Sequence, residues 1–266
     1  MDLNTIFGYI GALFIGVVLG LIGGGGSILT VPVLVYLFGL NPILATSYSL
    51  FIVGTSSAFG TIKNIQKKLV NFKVAIIFSI PAFTAVYLTR RFILPALPDT
   101  LFVVNNYVVT KSMGIMTLFA IIMLVASKSM LIDRKKLIKA PENEKLNYVI
   151  IFIQAFVIGL FTGLVGAGGG FIIIPALIAL AKLPMKKAVG TSLLIIAINS
   201  LIGFTGDFGH LEIDWLFLLG FTAISVLGIF IGTYLSNFID GKKLKKGFGW
   251  FVLLMAVYII YKELTL

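Results

Sequence analysis

The 266-residue chain has no cysteine, one histidine (His210), and only ten acidic residues against 21 basic ones. Without cysteine there is no disulfide, no thiolate nucleophile and no cysteine-bound metal, and a lone histidine excludes a multi-histidine centre. No metal or cofactor is therefore expected. Charge of either sign is scarce at 12% of residues, against 59% hydrophobic, and the mean hydropathy is +1.10. That balance lies far outside the range of a soluble domain. Asp and Glu are missing from the interior of every apolar stretch, so no carboxylate proton relay is visible. The excess of base does not indicate nucleic acid, because no basic stripe with interleaved aromatic residues lies outside the apolar stretches.

What is present is apolar sequence in long runs. Stretches of about twenty residues recur at 43–62, 74–89, 107–127, 148–165, 188–206, 215–236 and 247–261, too many for a signal peptide or a single anchor. None shows the ten-residue alternation of an outer-membrane barrel, and in hydrocarbon only helices otherwise satisfy their own backbone. The expectation is a helical bundle in the cytoplasmic membrane, with no segment left for a soluble catalytic domain.

The chain also repeats itself. Ile15–Gly60 aligns without gaps on Ile158–Gly203, an offset of 143 residues, and such self-similarity governs every later motif. GLIGGGGSILTVPVL recurs as GLVGAGGGFIIIPAL, and Val70-Asn71-Phe72 recurs in character as Ile213-Asp214-Trp215. The organisation read from this is a first transmembrane repeat at 1–127, a polar cytoplasmic connector at 128–146 and a second repeat at 147–266.

Loop charge favours hairpins at the glycine runs, with single crossings as the alternative. If each glycine-containing run crossed the membrane once, the basic residues would divide 11 to 10, which sets no orientation. If instead each glycine run is the tip of a hairpin that enters and leaves on one side, the loops at 63–73, 128–145, 182–187 and 242–246 share a face holding 17 basic residues. The other face keeps only Arg90, Arg91, Lys111 and Lys262, together with Asp207, His210, Glu212 and Asp214. That asymmetry is what the positive-inside rule requires. The fold expected is an all-α polytopic membrane protein of two inverted repeats. Each is a glycine-tipped broken-helix hairpin followed by three transmembrane helices, and both termini are extracytoplasmic.

Gly16 and Gly20, and Gly159 and Gly163, are small residues four apart that suit close helix packing in lipid. Gly23, Gly24, Gly25 and Gly26 need another account, since adjacent glycines point all around a helix and each weakens it by roughly 1 kcal/mol relative to Ala. A broken helix supplies it, with Pro32 and Pro175 marking a restart in the first helical turn. The arm from Ile28 to Phe38 would span roughly 16 Å at 1.5 Å per residue, about half the hydrocarbon core, which puts the tip near the midplane. Bare amides and the positive end of a restarted helix attract anions. The substrate-binding candidates are thus Gly23 to Gly26 with Ser27, and in the second copy Gly166, Gly168, Gly169 and Gly170. Ser49 and Ser56, and equivalently Ser192 and Asn199, lie seven residues apart on one helical face and join them, with Thr191 and Ser200 as weaker candidates. Interhelical hydrogen bonding is the alternative use of these side chains. Lys63, Arg90, Arg91 and Lys111 lie at span ends, where attracting anions and snorkelling as anchors explain them equally well, and His210 reads as a solvated loop residue, with a proton-linked role as the alternative.

The duplicated glycine motif with its following proline, the segments Ala45 to Leu50 (ATSYSL) and Ala188 to Leu193 (AVGTSL), and the paired loop motif together resemble the TauE/SafE sulfite exporter family, also called the toluene sulfonate uptake permease family. The resemblance covers nearly the whole chain. It implies a secondary transporter for small sulfur-containing anions such as sulfite, sulfonates or sulfoacetate, working by alternating access. The partners it implies are the lipid bilayer and that anion, with the proton as candidate coupling ion and a second copy of the chain as candidate oligomer partner. One departure is Ser47-Tyr48-Ser49 where the second copy has Gly190-Thr191-Ser192, so the two halves of the site are expected to be chemically unequal. The rival readings are an intramembrane serine hydrolase built on Ser27 and His210, and a non-transporting membrane assembly factor. The first needs the two residues within hydrogen-bond reach, and the second leaves the glycine tips without a purpose.

Overall fold

The computed structural model describes residues 3–24, 26–104, 107–131, 148–236, 238 and 241–265. Helix α1 (Leu3–Ile22) leads into the first glycine run, and α2 (Ser27–Tyr36) follows it. The return is antiparallel: Gly26 lies against Ile15 and Leu19, Val33 against Gly11, and Phe38 against Gly8. The two arms therefore form a hairpin. Helix α2 starts at Ser27, so Pro32 stands in its second turn and not at the restart, as Pro175 does in the equivalent helix. A proline there removes the helical donor to the carbonyl four residues back, leaving those of Ile28 and Phe171 without one.

Helix α3 (Pro42–Gln66) begins with Asn41 accepting from the Ile43 amide and Pro42 in its first turn, a start set by local sequence alone. Asn71 caps α4 (Phe72–Leu88) by accepting from the Val74 amide. Helix α4 then continues through a π-helical turn (Thr89–Ile93) into a last short helix α5 (Leu94–Ala96). Strands β1 (Thr100–Val104) and β2 (Tyr107–Thr110) pair antiparallel ahead of α6 (Lys111–Leu131). The sequence reading began a span at 107; the run Tyr-Val-Val-Thr is instead strand, in keeping with its β-branched and aromatic content. Helix α6 also continues through Leu131, so the first turn of the expected connector is helical, and the rest of it, 132–146, lies outside the described residues.

The second half repeats the plan with α7 (Tyr148–Val165), α8 (Gly170–Leu180), α9 (Met185–Thr205), α10 (Trp215–Leu235) and α11 (Gly241–Thr265). Asp214 caps α10 as Asn71 caps α4, accepting from the Phe217 amide. Among the described residues five helices are long and apolar enough to cross a membrane: α3, α4 with its continuation to Ala96, α6, α9 and α10. The arms α1, α2 and α7 carry shorter apolar stretches. The stretch at 148–165 is α7, which like α1 is shorter in apolar length and leads into a glycine run.

Contacts exchange between halves in matched pairs: α1 packs on α10 as α7 packs on α4, and α3 meets α9 at the centre. The four packing glycines make those pairs possible. A Cβ on Gly16 would strike the Ser225 carbonyl, and one on Gly20 would lie 2.5 Å from the Ile229 carbonyl oxygen. Gly159 meets Ala82 and Ala85, and Gly163 meets Val86 and Thr89. The ascending order in both cases means that α1 runs with α10 and α7 with α4. Helices α3 and α9 oppose each other, because Gly54 meets Leu201 while Gly203 meets Leu50.

Candidate functional site at the glycine tips

The glycine runs satisfy a backbone that other residues adopt only under strain. Gly23 has φ +79°, and Gly166, Gly168 and Gly169 have φ +71°, +62° and +69°, the left-handed region where a Cβ is costly. The chain thereby stops one helix and starts the next within five residues. At the second tip the carbonyl of Gly169 takes up the amides of Ile172 and Ile173, which leaves the amides of Gly170 and Phe171, first in their helix, without an intrahelical acceptor.

The two tips meet. A Cβ on Gly24 would lie 2.5 Å from the Gly170 carbonyl carbon, and one on Gly170 would lie 2.5 Å from the Gly24 Cα. Backbone therefore touches backbone at the junction of the two halves. Gly25 falls outside the described residues. Around the junction, each tip leans on the long helix of the other half. Gly23 rests on Val189 of α9 and Gly166 on Thr46 of α3, equivalent positions in the repeat.

The polar side chains expected at the site divide into two groups. Ser27 Oγ donates to the Gly24 carbonyl at 2.7 Å, so it braces its own tip and is not a free donor. Ser192 Oγ lies 3.0 Å from the Gly23 carbonyl and 2.8 Å from that of Val189, sharing one proton between them. Ser56 Oγ pairs with Ser225 Oγ of α10 at 3.0 Å, which is the interhelical use. The second group is unspent: Ser49 Oγ, Ser57 Oγ, Asn199 Oδ1 and Ser200 Oγ are buried without a hydrogen-bond partner among the described residues. Ser200 Oγ is the hydroxyl facing Gly168, 3.2 Å from where its Cβ would stand. Unpaired buried hydroxyls are uncommon because each costs roughly 1–3 kcal/mol. On α3 and α9, the helices that flank the tips, the hydroxyls of Ser49, Ser57 and Ser200 and the Asn199 amide oxygen are the donors and acceptors a polar guest would need, and among the described residues the Ser47 hydroxyl of α3 is unpaired as well.

Thr191 lies elsewhere. Its Oγ1 accepts from the Asn71 amide at 3.0 Å, and the repeat-equivalent Tyr48 hydroxyl accepts from the Asp214 amide at 2.6 Å. The Tyr48/Thr191 difference is thus not a chemical inequality of the site. Both residues tie down the capping turn contributed by the opposite half, and the longer side chain spans a wider gap. A crevice of about 540 Å³ opens beside Tyr48, between Phe38, Phe217, Glu212 and Asp214.

Among the described residues, sequence reasoning missed four buried charges, Arg90, Lys111, Asp207 and Glu263; Lys111 Nζ donates to the Leu97 carbonyl at 3.1 Å. Arg90 is 0% exposed, not a snorkelling anchor, and its Nη1 lies 3.4 Å from Asp207 Oδ2. Glu263 is buried in α11, where Tyr36 donates to it at 3.4 Å. For Arg90 the missed signal was the apolar run Phe92 to Leu97 beyond it, which shows that the helix does not end at the arginine pair. His210 is exposed, as expected, with its Nε2 3.0 Å from Arg91 Nη1. Ser27, buried and bonded to Gly24, is not paired with it, which removes the serine-hydrolase geometry.

A family model described as "Sulfite exporter TauE/SafE" matches residues 9–259. The chain is 28% identical over 254 residues to a "Probable membrane transporter protein" of Xylella fastidiosa, covering 94% of this chain and 92% of the relative. It is 26% identical over 276 residues to the "Probable membrane transporter protein YunE" of Bacillus subtilis, covering 94% and 95%. A shorter match, 36% over 116 residues, joins it to the "Probable membrane transporter protein MJ0441" of Methanocaldococcus jannaschii, covering 41% and 43%. No solved structure matches.

Proposed function

This chain belongs to the sulfite exporter TauE/SafE family of membrane transporters, and on that premise we propose that it carries small sulfur-containing anions, of the sulfite, sulfonate and sulfoacetate class, by alternating access at the meeting point of the two tips. The observation that carries this reading is the backbone contact of Gly24 with Gly170, with the unpartnered Ser200 hydroxyl facing Gly168 and the unpartnered Ser49 hydroxyl and Asn199 Oδ1 on the same two helices, α3 and α9. Irregular backbone at membrane depth is tolerated only where protein covers it or where it lines a polar path. Helix N-termini aimed at such a place favour an anion. Broken helices from two repeats converging on one site are a recurrent transporter arrangement.

The two halves, 1–127 and 147–266, are on this reading inverted across the bilayer. The helix directions support it: α1 runs with α10, α4 runs with α7, and α3 opposes α9. The 17 basic residues on one set of loops then lie in the cytoplasm with the connector, and both termini outside. Because the chain has no native cysteine, single cysteines at Lys67 and Lys243 can be labelled in intact cells with an impermeant reagent. Both positions are expected to stay unlabelled until the membrane is permeabilised, and opposite accessibility would sink the inverted arrangement.

Flux supplies the test of transport. Purified protein in liposomes, offered sulfite, sulfate, thiosulfate, sulfoacetate and taurine with and without a pH gradient, is expected to give saturable movement of at least one of them. A response to the gradient would identify the proton as coupling ion. Removing one hydroxyl donor, in Ser49→Ala or Ser200→Ala, is expected to raise the half-saturating concentration by roughly tenfold, since a hydrogen bond to a charged group contributes about 1.5–3 kcal/mol. A correctly folded preparation that moves none of the five would refute the reading.

A further inference from the structure

The buried guanidinium of Arg90 is not used up by the fold. Asp207 meets only Nη1, and at 3.4 Å; Nε and Nη2 have no hydrogen-bond partner among the described residues, although the side chain is 0% exposed. Nε–H and Nη2–H are the two parallel donors on one edge of the guanidinium plane, the pair that fits two oxygens of one oxyanion. A buried cation left with this edge empty is costly unless something occupies it for part of the working cycle.

Its place in the fold suits an anion on its way to or from the tips. Ser200 faces the second tip, and Gly206, six residues on and capping the end of α9, lies against Arg90, so that a Cβ there would stand 2.9 Å from the Arg90 Cβ. At about 1.5 Å per residue that separates the two by roughly 9 Å along the helix axis. Thr89, the preceding residue, packs on Gly163 of α7, three residues before the second tip begins. Beyond Arg90 lies the segment Gly206 to His210, which Asp207 fastens to Arg90 and the Phe208 carbonyl fastens to Arg91 at 3.0 Å. Both arginines sit in the π-helical turn of Thr89–Ile93, a feature that recurs at functional sites.

We propose that the free Nε–Nη2 edge of Arg90 is a second oxyanion subsite, between the glycine tips and the Gly206–His210 segment, at which Asp207 is the resident anion that an incoming sulfite- or sulfonate-class substrate competes with. The proposal rests on the transport reading above and adds to it a cationic station that the tips, made of backbone and hydroxyls, do not supply. Occupation of the edge loosens the Arg90–Asp207 pair and with it one anchor of the Gly206–His210 segment.

Thermal unfolding of the purified protein in detergent, with and without sulfite, sulfate or sulfoacetate, tests this apart from flux. In Asp207→Asn the competitor is gone, so the anion is expected to raise the unfolding temperature by more than it does in the unaltered protein. In Arg90→Lys, which keeps the charge and loses the fork, anion affinity is expected to fall by about tenfold or more. The double variant Arg90→Gln/Asp207→Asn removes both charges and keeps the comparison open if Asp207→Asn does not fold; it is expected to lose the anion response and to show a raised half-saturating concentration in liposomes. If the double variant binds and carries the anion like the unaltered protein, the subsite is refuted while transport at the tips stands. If the unaltered protein neither binds nor carries any of the anions, both readings fail.

Discussion

Gly24→Val is expected to abolish anion flux while leaving the protein folded. The side chain would be driven into the Gly170 carbonyl group, where even a Cβ stands 2.5 Å from the carbon and 2.6 Å from the oxygen. Overpacking usually costs about 1–3 kcal/mol when side chains can yield, but here the obstacle is backbone on the opposite tip. The tips must part, and a penalty near the top of that range is roughly a 150-fold loss of the touching arrangement. Gly24 is not among the glycines with positive φ, so the substitution tests the contact itself. Gly220→Val is the matched control, because a Cβ there meets nothing within 4 Å. Flux at or near the unaltered level in Gly24→Val would show that the tips are not where the anion passes.

Asp207→Ala is expected to be the most destabilising single change away from the tips. It strands Arg90 at 0% exposure with no counter-charge, and breaking a buried pair from one side typically costs about 3–5 kcal/mol. Arg91→Ala removes a partly exposed donor to the Phe208 carbonyl and should cost about 1.5 kcal/mol, the low end for a charged donor. Denaturant unfolding of the two variants in the same detergent separates them, and equal stability would mean that Asp207 does not neutralise Arg90. The pair also explains a blind spot in hydropathy reading. A charge at the margin of an apolar run looks like an anchor whether it reaches water or a carboxylate 117 residues away in the chain.

Much of the backbone arrangement at the candidate site was nonetheless legible. Adjacent glycines cannot serve one packing face, and that alone marked Gly23 to Gly26 as a break; the offset of 143 then gave the second break without further assumption. Gly16, Gly20, Gly159 and Gly163 were identified as packing positions by spacing, and each meets a helix of the opposite half. The hydroxyls were harder. Ser27, Ser56, Ser192 and Thr191 looked like site residues for the same reason as Ser49 and Asn199, yet the first four are hydrogen-bonded to the protein itself. A hydroxyl on an apolar helix is equally suited to both uses, and only its neighbours select one. The placement of Pro32 and Pro175 inside α2 and α8 was misread because proline at a first turn is the commoner arrangement, and the glycines had already allowed the helices to restart earlier.

The sequence by itself determined what composition, periodicity and repetition can carry: a helical membrane protein, duplicated, with a glycine break in each copy and basic residues gathered on alternate loops. These follow from solvation and from backbone preference, both local or additive along the chain. Tertiary structure decided the rest. It folded α2 back on α1, brought Gly24 against Gly170, left the Ser49 and Ser200 hydroxyls and Asn199 Oδ1 unpaired on α3 and α9, and buried Arg90 against Asp207. Each of those depends on which helix lies beside which, and in lipid that choice is made by packing contacts and hydrogen bonds between distant segments.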